Sequence, residues 1–152
     1  MNILLFGRVP RSPSMRRLLL AAARAGLGPL ARRRGELCVV FCPDAEMRRL
    51  NRAHLGRNRT TDVIAFLYPP QKGVPHGETL PFGDVYVGSD AARRQGAELG
   101  HGPLEELLTL VAHGTLHLAG YDDLRPADKK RMFARQSRIV ARVLKNVQAK
   151  TR

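Results

Sequence analysis

The sequence predicts one α+β domain, spanning residues 1–152, in which a small sheet of about four strands packs with about five helices. Three observations support this fold class, with an α/β sandwich as the alternative. The length of 152 residues is ordinary for one domain, and 43% of them are hydrophobic, enough to form a core. The charged fraction of 26% is also typical of globular proteins. Four β-rich runs and five segments of helical pattern follow one another along the chain.

Four short apolar runs are predicted to be strands, at residues 2–6, 36–42, 62–66 and 82–88. The second run, ELCVVFC, ends at Pro43 and has the composition of a buried strand. Its cysteines, Cys38 and Cys42, are predicted to be reduced core residues on one face of that strand. Residues 68–81 contain four prolines and two glycines and are predicted to be a loop.

Five segments are predicted to be helices, at residues 15–25, 45–54, 90–99, 104–118 and 126–147. The expected N-caps are Ser12 or Ser14 for the first helix, Asp44 for the second and Ser89 for the third. Pro103 suits the first turn of the fourth helix, and Gly120 is expected directly after its end. Apolar residues recur at three- and four-residue steps in the fourth and fifth helices, so one side of each should face a core.

The charge of the chain is strongly positive, with 26 Lys and Arg against 13 Asp and Glu, a net charge of +13. Residues 1–35 carry eight arginines and no acid, and residues 125–152 carry ten basic residues against one acid. This distribution favours a polyanionic partner, namely RNA, DNA or an anionic membrane surface. The alternative is a solvated basic surface that reflects composition alone.

Two features indicate the cellular compartment. No apolar run approaches the roughly 18 residues that a membrane span needs, so the chain is expected not to cross a membrane. Two cysteines give no disulfide framework, and the apolar start of the chain is interrupted at Arg8 before it resembles a secretion signal. A reducing cytoplasm is the expected location.

The stretch that carries chemistry is HGTLHLAGYDD, residues 113–123. His113 and His117 are four residues apart on a predicted helix, so both imidazoles lie on one face, close enough to bind one ion. Gly120 can take a left-handed conformation and bring Asp123 back toward the same ion. Two histidines and a carboxylate leave one position of a tetrahedral zinc open, as in catalytic sites. The pattern therefore predicts one Zn²⁺ per chain; helix capping, core packing or RNA contact are the alternatives for the histidine pair.

The same spacing occurs in metzincin-type zinc proteases, but these carry a glutamate general base directly after the first histidine. This chain has Gly114 at that position. A general base contributes roughly 10²- to 10⁴-fold in rate, so peptide hydrolysis is disfavoured. A zinc ion that polarises a phosphoryl oxygen suits the anionic substrate that the charge predicts.

Three blocks of the sequence, in order, resemble one family. HGTLHLAGYDD resembles the HGxLHLxGYDH signature of the YbeY family of metal-dependent endoribonucleases. Residues 50–66 are similar to the LNxxYRxxxxPTDVLSF segment of that family, and GDVYV at 83–87 is similar to its GDIxI strand. The resemblance implies a four-stranded α+β fold with the metal helix at its centre. It also implies cytoplasmic cleavage of single-stranded RNA, with DNA not expected as a partner.

The biological role that the resemblance implies is rRNA maturation on the small ribosomal subunit. It includes processing of the 16S rRNA 3′ end and ribosome quality control. The alternative is a ribosome-associated RNA-binding protein with a structural metal and lost or weakened cleavage. Cleavage of a single-stranded rRNA fragment that a chelator abolishes would separate the two.

The chain departs from the family pattern at several positions. The third metal ligand, histidine in the signature, is Asp123. The family's functional arginine aligns with Leu55 and the tyrosine before it with His54, and Thr60 and Ala65 replace a proline and a serine. A leucine cannot neutralise the charge of a reacting phosphate.

Nearby arginines are candidates to replace the missing cation. Arg57 and Arg59 are the candidate catalytic residues, and together with Arg52 they are predicted to bind RNA, since a guanidinium pairs bidentately with phosphate oxygens. Asp62 and Asp122 are predicted to support the site from behind the metal ligands, Asp122 by orienting the turn or the free N–H of a ligand. The sequence does not identify a general base.

Overall fold

A computed structural model of the chain describes residues 1–56 and 61–150. The strands are β1 (Asn2–Gly7), β2 (Glu36–Cys42), β3 (Val63–Leu67) and β4 (Pro81–Gly88). The helices are α1 (Pro13–Leu27), α2 (Asp44–Leu55), α3 (Ser89–Leu99), α4 (Pro103–Leu118) and α5 (Pro126–Lys150), with a short 3-10 helix at Gly28–Arg32. Four strands and five α-helices in the described part of the chain confirm the α+β prediction.

The strands form one mixed sheet in the order β1-β2-β4-β3. The first three of these are parallel, and β3 pairs antiparallel to β4 at one edge. The helix α1 connects β1 to β2, a crossover that a parallel pair requires. The antiparallel edge brings the start of β3 next to the end of β4, where Gly88 donates a 2.7 Å hydrogen bond to the carbonyl oxygen of Asp62.

The two faces of the sheet are covered unequally. One face packs against α1, α4 and α5 in the main core, which includes Val85, Val87 and Leu108. The opposite face packs against α2 in a smaller cluster of buried residues: Cys42, Met47, Leu50 and Ile64. Because α4 contacts α1, α3, α5 and the strands β3 and β4, it is the central helix of the fold.

The helix α4 approaches the sheet closely because Gly114 has no side chain. A Cβ atom at this position would lie 2.5 Å from Cγ1 of Val85 and 3.0 Å from Cγ2 of Val63. Gly26 of α1 allows a similarly close approach to Thr115 on another side of α4. These contacts fix how α4 rotates about its axis, and therefore which of its residues face away from the sheet.

The N-caps were predicted correctly in one case. Ser12 caps α1 by accepting a hydrogen bond from the backbone N–H three residues ahead. The expected caps Asp44 and Ser89 are wrong, because these residues are the first residues of α2 and α3. The Asp44 side chain instead pairs with Arg94, and the Asp44 N–H donates a 2.9 Å hydrogen bond to the carboxylate of Asp90. The start of α2 is thus stabilised by another helix.

The predicted strands and α-helices are present, apart from small shifts in element ends. Both cysteines are free thiols, but Cys42 is buried whereas Cys38 is only half-buried, so the prediction of two core cysteines is half correct. Burial raises the pKa of both thiols, and Asp84 adds to the effect at Cys38. Among the described residues, no helix has the length and hydropathy that a membrane span requires.

Candidate metal centre

Three potential ligands meet at the C-terminal end of α4. The Nε2 atoms of His113 and His117 are 3.1 Å apart, and Oδ2 of Asp123 lies 3.5 Å from the first and 3.7 Å from the second. Ligand atoms around a tetrahedral zinc with bonds of about 2.0–2.1 Å lie about 3.3–3.4 Å apart. In the part of the chain that the structure describes, these residues form the cluster of His, Cys, Asp or Glu side chains that can hold a metal ion.

The chain path explains why these residues converge. The two histidines are one helical turn apart near the end of α4, and the helix ends at Leu118 with Ala119 as its C-cap. Gly120 follows with a φ of +97°, and the Tyr121 N–H donates a 3.0 Å hydrogen bond to the Leu116 carbonyl. This reversal directs the next residues back toward the histidines.

Asp122 holds the loop that carries Asp123. Its Oδ1 atom accepts hydrogen bonds from the backbone N–H groups of Asp123 at 2.6 Å and Leu124 at 3.0 Å. A carboxylate that binds backbone N–H groups one and two residues ahead stabilises a turn. Of the two tasks predicted for Asp122, the structure therefore places it in position for orienting the turn.

The hydrogen bonds of the two imidazoles determine which nitrogens face the centre of the cluster. His117 Nδ1 lies 3.1 Å from the carbonyl oxygen of Tyr121, which can only accept, so Nδ1 carries the proton. His113 Nδ1 lies 2.8 Å from Oε1 of Gln136. Both Nε2 lone pairs then point toward each other, an arrangement that repels unless a cation lies between them. The donor set therefore fits a metal ion.

Burial sets the protonation of the first histidine. It lowers the pKa of His113, whereas the hydrogen bond to Gln136 opposes this shift, and the neighbouring His117 and Asp123 contribute less. The neutral imidazole is the form that binds a metal ion. The environment of His113 thus favours the state that a metal site needs.

A cleft of about 480 Å³ extends from His113 along α4 toward its N-terminus. One side of α4 lines the cleft, together with α5, the end of α3 and the start of β3. Phe133 of α5 lies at the histidine end, 41% exposed, with its ring centre 5.8 Å from that of His113. The Lys129 ammonium is 5.7 Å from the centre of the Phe133 ring. An aromatic and a cationic group therefore lie beside the ligand cluster.

The other predicted site residues lie in different places. Asp62 precedes β3 and lines the cleft that contains His113. Arg52 is exposed on α2, which packs on the opposite face of the sheet, and it is not among the residues that line the cleft. Arg57 and Arg59 lie outside the described residues. The RNA-binding and catalytic roles of these arginines stay predictions.

Two residues near the departures from the family pattern are involved in packing. His54 contacts Phe66 with ring centres 4.8 Å apart. Asp84 accepts hydrogen bonds from the hydroxyl groups of Tyr68 and Tyr86. Asp84 therefore has structural partners on the sheet face that α4 does not cover.

Sequence reasoning missed the two groups that orient the imidazoles. Gln136 is 6% exposed and lies within the apolar stripe of α5, between Met132 and Val140. One polar residue at a buried helix position was the available signal, because a buried amide needs a hydrogen-bond partner. The Tyr121 group that binds His117 is a backbone carbonyl, so the residue type carried no signal.

The position after the first histidine has a structural explanation. Gly114 faces β3 and β4 rather than the cleft, as its distance to Val85 shows. A glutamate there would collide with the sheet, so this helix cannot present the general base of a zinc protease from that position. The glycine at position 114 is therefore explained by helix packing, and the exclusion of peptide hydrolysis stays a prediction.

Comparison with known proteins identifies the family. A model of one protein family, described as endoribonuclease YbeY, matches residues 15–144. The chain belongs to the endoribonuclease YbeY family. The YbeY resemblance seen in the three sequence blocks is thereby confirmed.

Two relatives match over nearly their whole length. Endoribonuclease YbeY of Elusimicrobium minutum is 38% identical over 143 residues, which cover 93% of this chain and 98% of the relative. Endoribonuclease YbeY of Geobacter sulfurreducens is 37% identical over 145 residues, which cover 93% and 95%. The solution structure of a Thermotoga maritima protein is also similar, with a TM-score of 0.60, 25% identity and coverage of 97% and 93%. The YbeY family assignment and the fold are therefore supported independently.

Proposed function

We propose that this chain is a metal-dependent endoribonuclease that cleaves single-stranded RNA, with one Zn²⁺ held by His113, His117 and Asp123. The observation that carries the proposal is the triangle of ligand atoms, 3.1–3.7 Å on each side, in a protein of net charge +13. One of its members, His113, also lines a cleft. Membership in the endoribonuclease YbeY family supports an RNA substrate. Two imidazoles and one carboxylate favour zinc among divalent metals.

The residues of the chain prepare this site for a phosphodiester. Bound Zn²⁺ would supply a Lewis acid that polarises a phosphoryl oxygen. Gln136 and the Tyr121 carbonyl hold the two imidazoles in the tautomer that presents Nε2. The Asp122 carboxylate holds the loop that positions Asp123.

Basic surfaces are proposed to bind the RNA backbone, at residues 8–34, 48–59 and 125–152. On α5, Arg135, Arg138 and Arg142 recur at three and four residues on one face, beside a groove that α1 also lines. In the described chain none of the three forms an ion pair with an acid. Arg52, Arg57 and Arg59 belong to the second surface, with Arg57 or Arg59 proposed to supply the cation that Leu55 lacks.

The substrate that family membership favours is a precursor of 16S rRNA on the small ribosomal subunit. We propose that the chain takes part in processing the 3′ end of this rRNA and in ribosome quality control. We also propose that residues 1–152 form one domain that works in the cytoplasm. DNA is not expected to be cleaved. A cleavage assay with matched single-stranded RNA and DNA fragments tests the nucleic-acid preference.

The central experiment measures metal content and RNA cleavage on the same preparations. Wild-type protein is expected to contain one Zn²⁺ per chain by elemental analysis and to cleave a single-stranded rRNA fragment, and a chelator should abolish the cleavage. His117→Ala should lose both metal and cleavage. His76→Ala is the matched control, because it removes an exposed imidazole outside the cluster. Cleavage that survives in His117→Ala, or in chelator, would contradict the proposal.

A second function is favoured by one observation, the leucine at position 55 where the family resemblance expects a functional arginine. In this alternative the chain binds rRNA with a structural metal and has lost or weakened cleavage. It predicts RNA binding that weakens with salt, full metal content and no cleavage by the wild type. Leu55→Arg would then be expected to raise cleavage, whereas it should leave binding of metal unchanged.

A further inference from the structure

The end of the cleft farthest from the ligand cluster contains a buried carboxylate. The Glu106 side chain is only 7% exposed and lines the cleft. In the part of the chain that the structure describes, it accepts no hydrogen bond, and its nearest basic partner is His101 Nε2 at 3.6 Å. Burial raises the pKa of Glu106, and His101 partly opposes this. A buried carboxylate whose nearest basic partner lies 3.6 Å away keeps acceptor positions that a bound ligand can fill.

The distance between Glu106 and the metal-binding cluster suggests the size of the molecule that the cleft binds. Glu106, Leu110 and His113 follow one another on the cleft side of α4. Seven residues separate the first from the last, a rise of about 10 Å along the helix. This length is close to the reach of one nucleotide from its phosphate to the far edge of its base. The cleft volume of about 480 Å³ lies in the range of small-molecule sites, roughly 300–1,000 Å³.

The two ends of the cleft differ in charge. Glu105 lies next to Glu106 on α4 and also lines the cleft, as does Asp62, whose charge acts on Glu106. The Glu106 end repels phosphate and attracts N–H donors. At the other end, His113 of the ligand cluster and Phe133 line the cleft, and the Lys129 ammonium lies over the phenyl ring. The polarity fits a ligand with an anionic group at one end, N–H donors at the other and a flat apolar body between them.

We propose that this cleft is a nucleobase pocket in which Glu106 accepts the N1–H and N2–H donors of a guanine next to the scissile phosphate. Guanine is the RNA base with two adjacent donors on its Watson–Crick edge, which one carboxylate accepts together. Adenine and cytosine place a ring acceptor beside their amino group, and uracil flanks its single N–H with two carbonyls. The pocket therefore prefers guanine, and the inference rests on the proposed RNA-cleaving function.

The main alternative for an acidic cluster is a second cation. The side chains of Asp62, His101, Glu105 and Glu106 do not converge as ligands, because in the described chain the three-residue group within 4.8 Å is the one at His113. The wall formed by Leu110, Val140 and Leu144 is also apolar, which suits a base ring rather than a hydrated ion. The geometry thus favours the base.

The test is an NMR titration of the Zn²⁺-loaded full chain with guanosine, inosine, adenosine and uridine 5′-monophosphates. Guanosine monophosphate should shift the resonances of cleft residues such as Leu110 and Val140. It should bind roughly 5-fold or more tightly than the other three, the lower end of discrimination by a bidentate base contact. Inosine keeps N1–H and lacks the amino group, so it isolates the second hydrogen bond. This comparison needs no variant.

Glu106→Gln should abolish the preference for guanosine, since an amide cannot accept both donors. Glu98→Gln is the matched control, with the same change of charge on an exposed residue outside the cleft. Equal binding of all four nucleotides, or a preference that survives in Glu106→Gln, would overturn the inference. Broadening of the Glu106 region by Mn²⁺ without guanosine selectivity would also overturn it, in favour of a cation site.

Failure of the inference and failure of the proposed function give different results. If RNA is cleaved but the nucleotides bind without selectivity, the nucleobase pocket is wrong and the nuclease remains. If guanosine binds selectively but RNA is not cleaved, the pocket remains and the nuclease is wrong. If both hold, the ends of the cleavage products should carry guanine beside the cut, and Glu106→Gln should remove that bias.

Discussion

Replacing Gln136 with leucine is expected to weaken Zn²⁺ binding by roughly 10- to 100-fold, the usual effect of removing a residue that orients a metal-binding histidine. Leucine has a similar volume, and it removes the acceptor of the 2.8 Å hydrogen bond from His113 Nδ1. Without that acceptor the imidazole can rotate and change tautomer. The position of Nε2 toward His117 and Asp123 is then no longer fixed.

The magnitude follows from the burial of both partners. Gln136 is 6% exposed and the His113 side chain 14% exposed, so water cannot easily replace the lost acceptor. An unpaired buried donor costs about 1–3 kcal/mol. The expected loss of affinity corresponds to about 1.4–2.7 kcal/mol. The two estimates agree. The expected loss of Zn²⁺ affinity is therefore that of one hydrogen bond, and the metal site itself should persist in the variant.

Competition with a chromophoric zinc chelator measures this loss. Gln136→Glu keeps an acceptor and should bind Zn²⁺ at least as tightly as the wild type. Gln95→Leu is the matched control, because Gln95 lines the same cleft and has no hydrogen bond to either histidine. Circular dichroism should show all three variants folded. A Gln136→Leu variant that binds Zn²⁺ within twofold of the wild type would refute the assigned role.

Three further predictions concern other parts of the molecule. Gly114→Ala should lower the free energy of unfolding in urea by about 1–3 kcal/mol, because the added methyl group overlaps Val85; a stabilised variant would contradict this packing. Tyr68 should titrate with a pKa of about 12 because of its hydrogen bond to Asp84. Since a raised folded pKa favours the protonated form, this contact stabilises fully below the unfolded tyrosine pKa of about 10 and is lost as the pH rises through 12. Tyrosinate absorbance checks this, with Asp84→Asn expected to lower the pKa. Arg138→Gln should reduce the slope of log affinity for single-stranded RNA against log salt by about 0.7; an unchanged slope would remove that residue from the RNA surface.

The elements of the fold were predictable because local patterns determine them. Apolar periodicity, proline and glycine place the four strands and five α-helices of the described chain to within a few residues. The cap of α2 was not predictable, because the group that binds the N–H of Asp44 is Asp90, 46 residues away. A local rule assigns Asp44 as its own cap and misses a partner that only the tertiary fold brings near.

The candidate metal site also has one part that the sequence predicts and another that depends on the tertiary fold. The spacing of His113 and His117 and the position of Gly120 predict the convergence on Asp123, because one helix and one turn contain all of them. Gln136 could not be placed from spacing, since it lies 23 residues further along and contacts His113 only through the packing of α4 with α5. The spacing of Glu106, seven residues before His113, indicates that both lie on the same side of α4. Its burial could not be predicted from spacing, because β3, α3 and α5 form the rest of the cleft.

The distribution of acids argues against composition alone as the origin of the positive charge. If the low number of acidic residues reflected composition alone, the 13 acids would be scattered over the surface. In the described chain, several of them hold arginines on the surface, as Asp44 holds Arg94. Four others border one cleft or its metal end: Asp62, Glu105, Glu106 and Asp123. A group of the acids therefore lies where a cation or a base edge can use it. In the described chain much of the basic surface has no acidic partner and is available to a phosphate backbone.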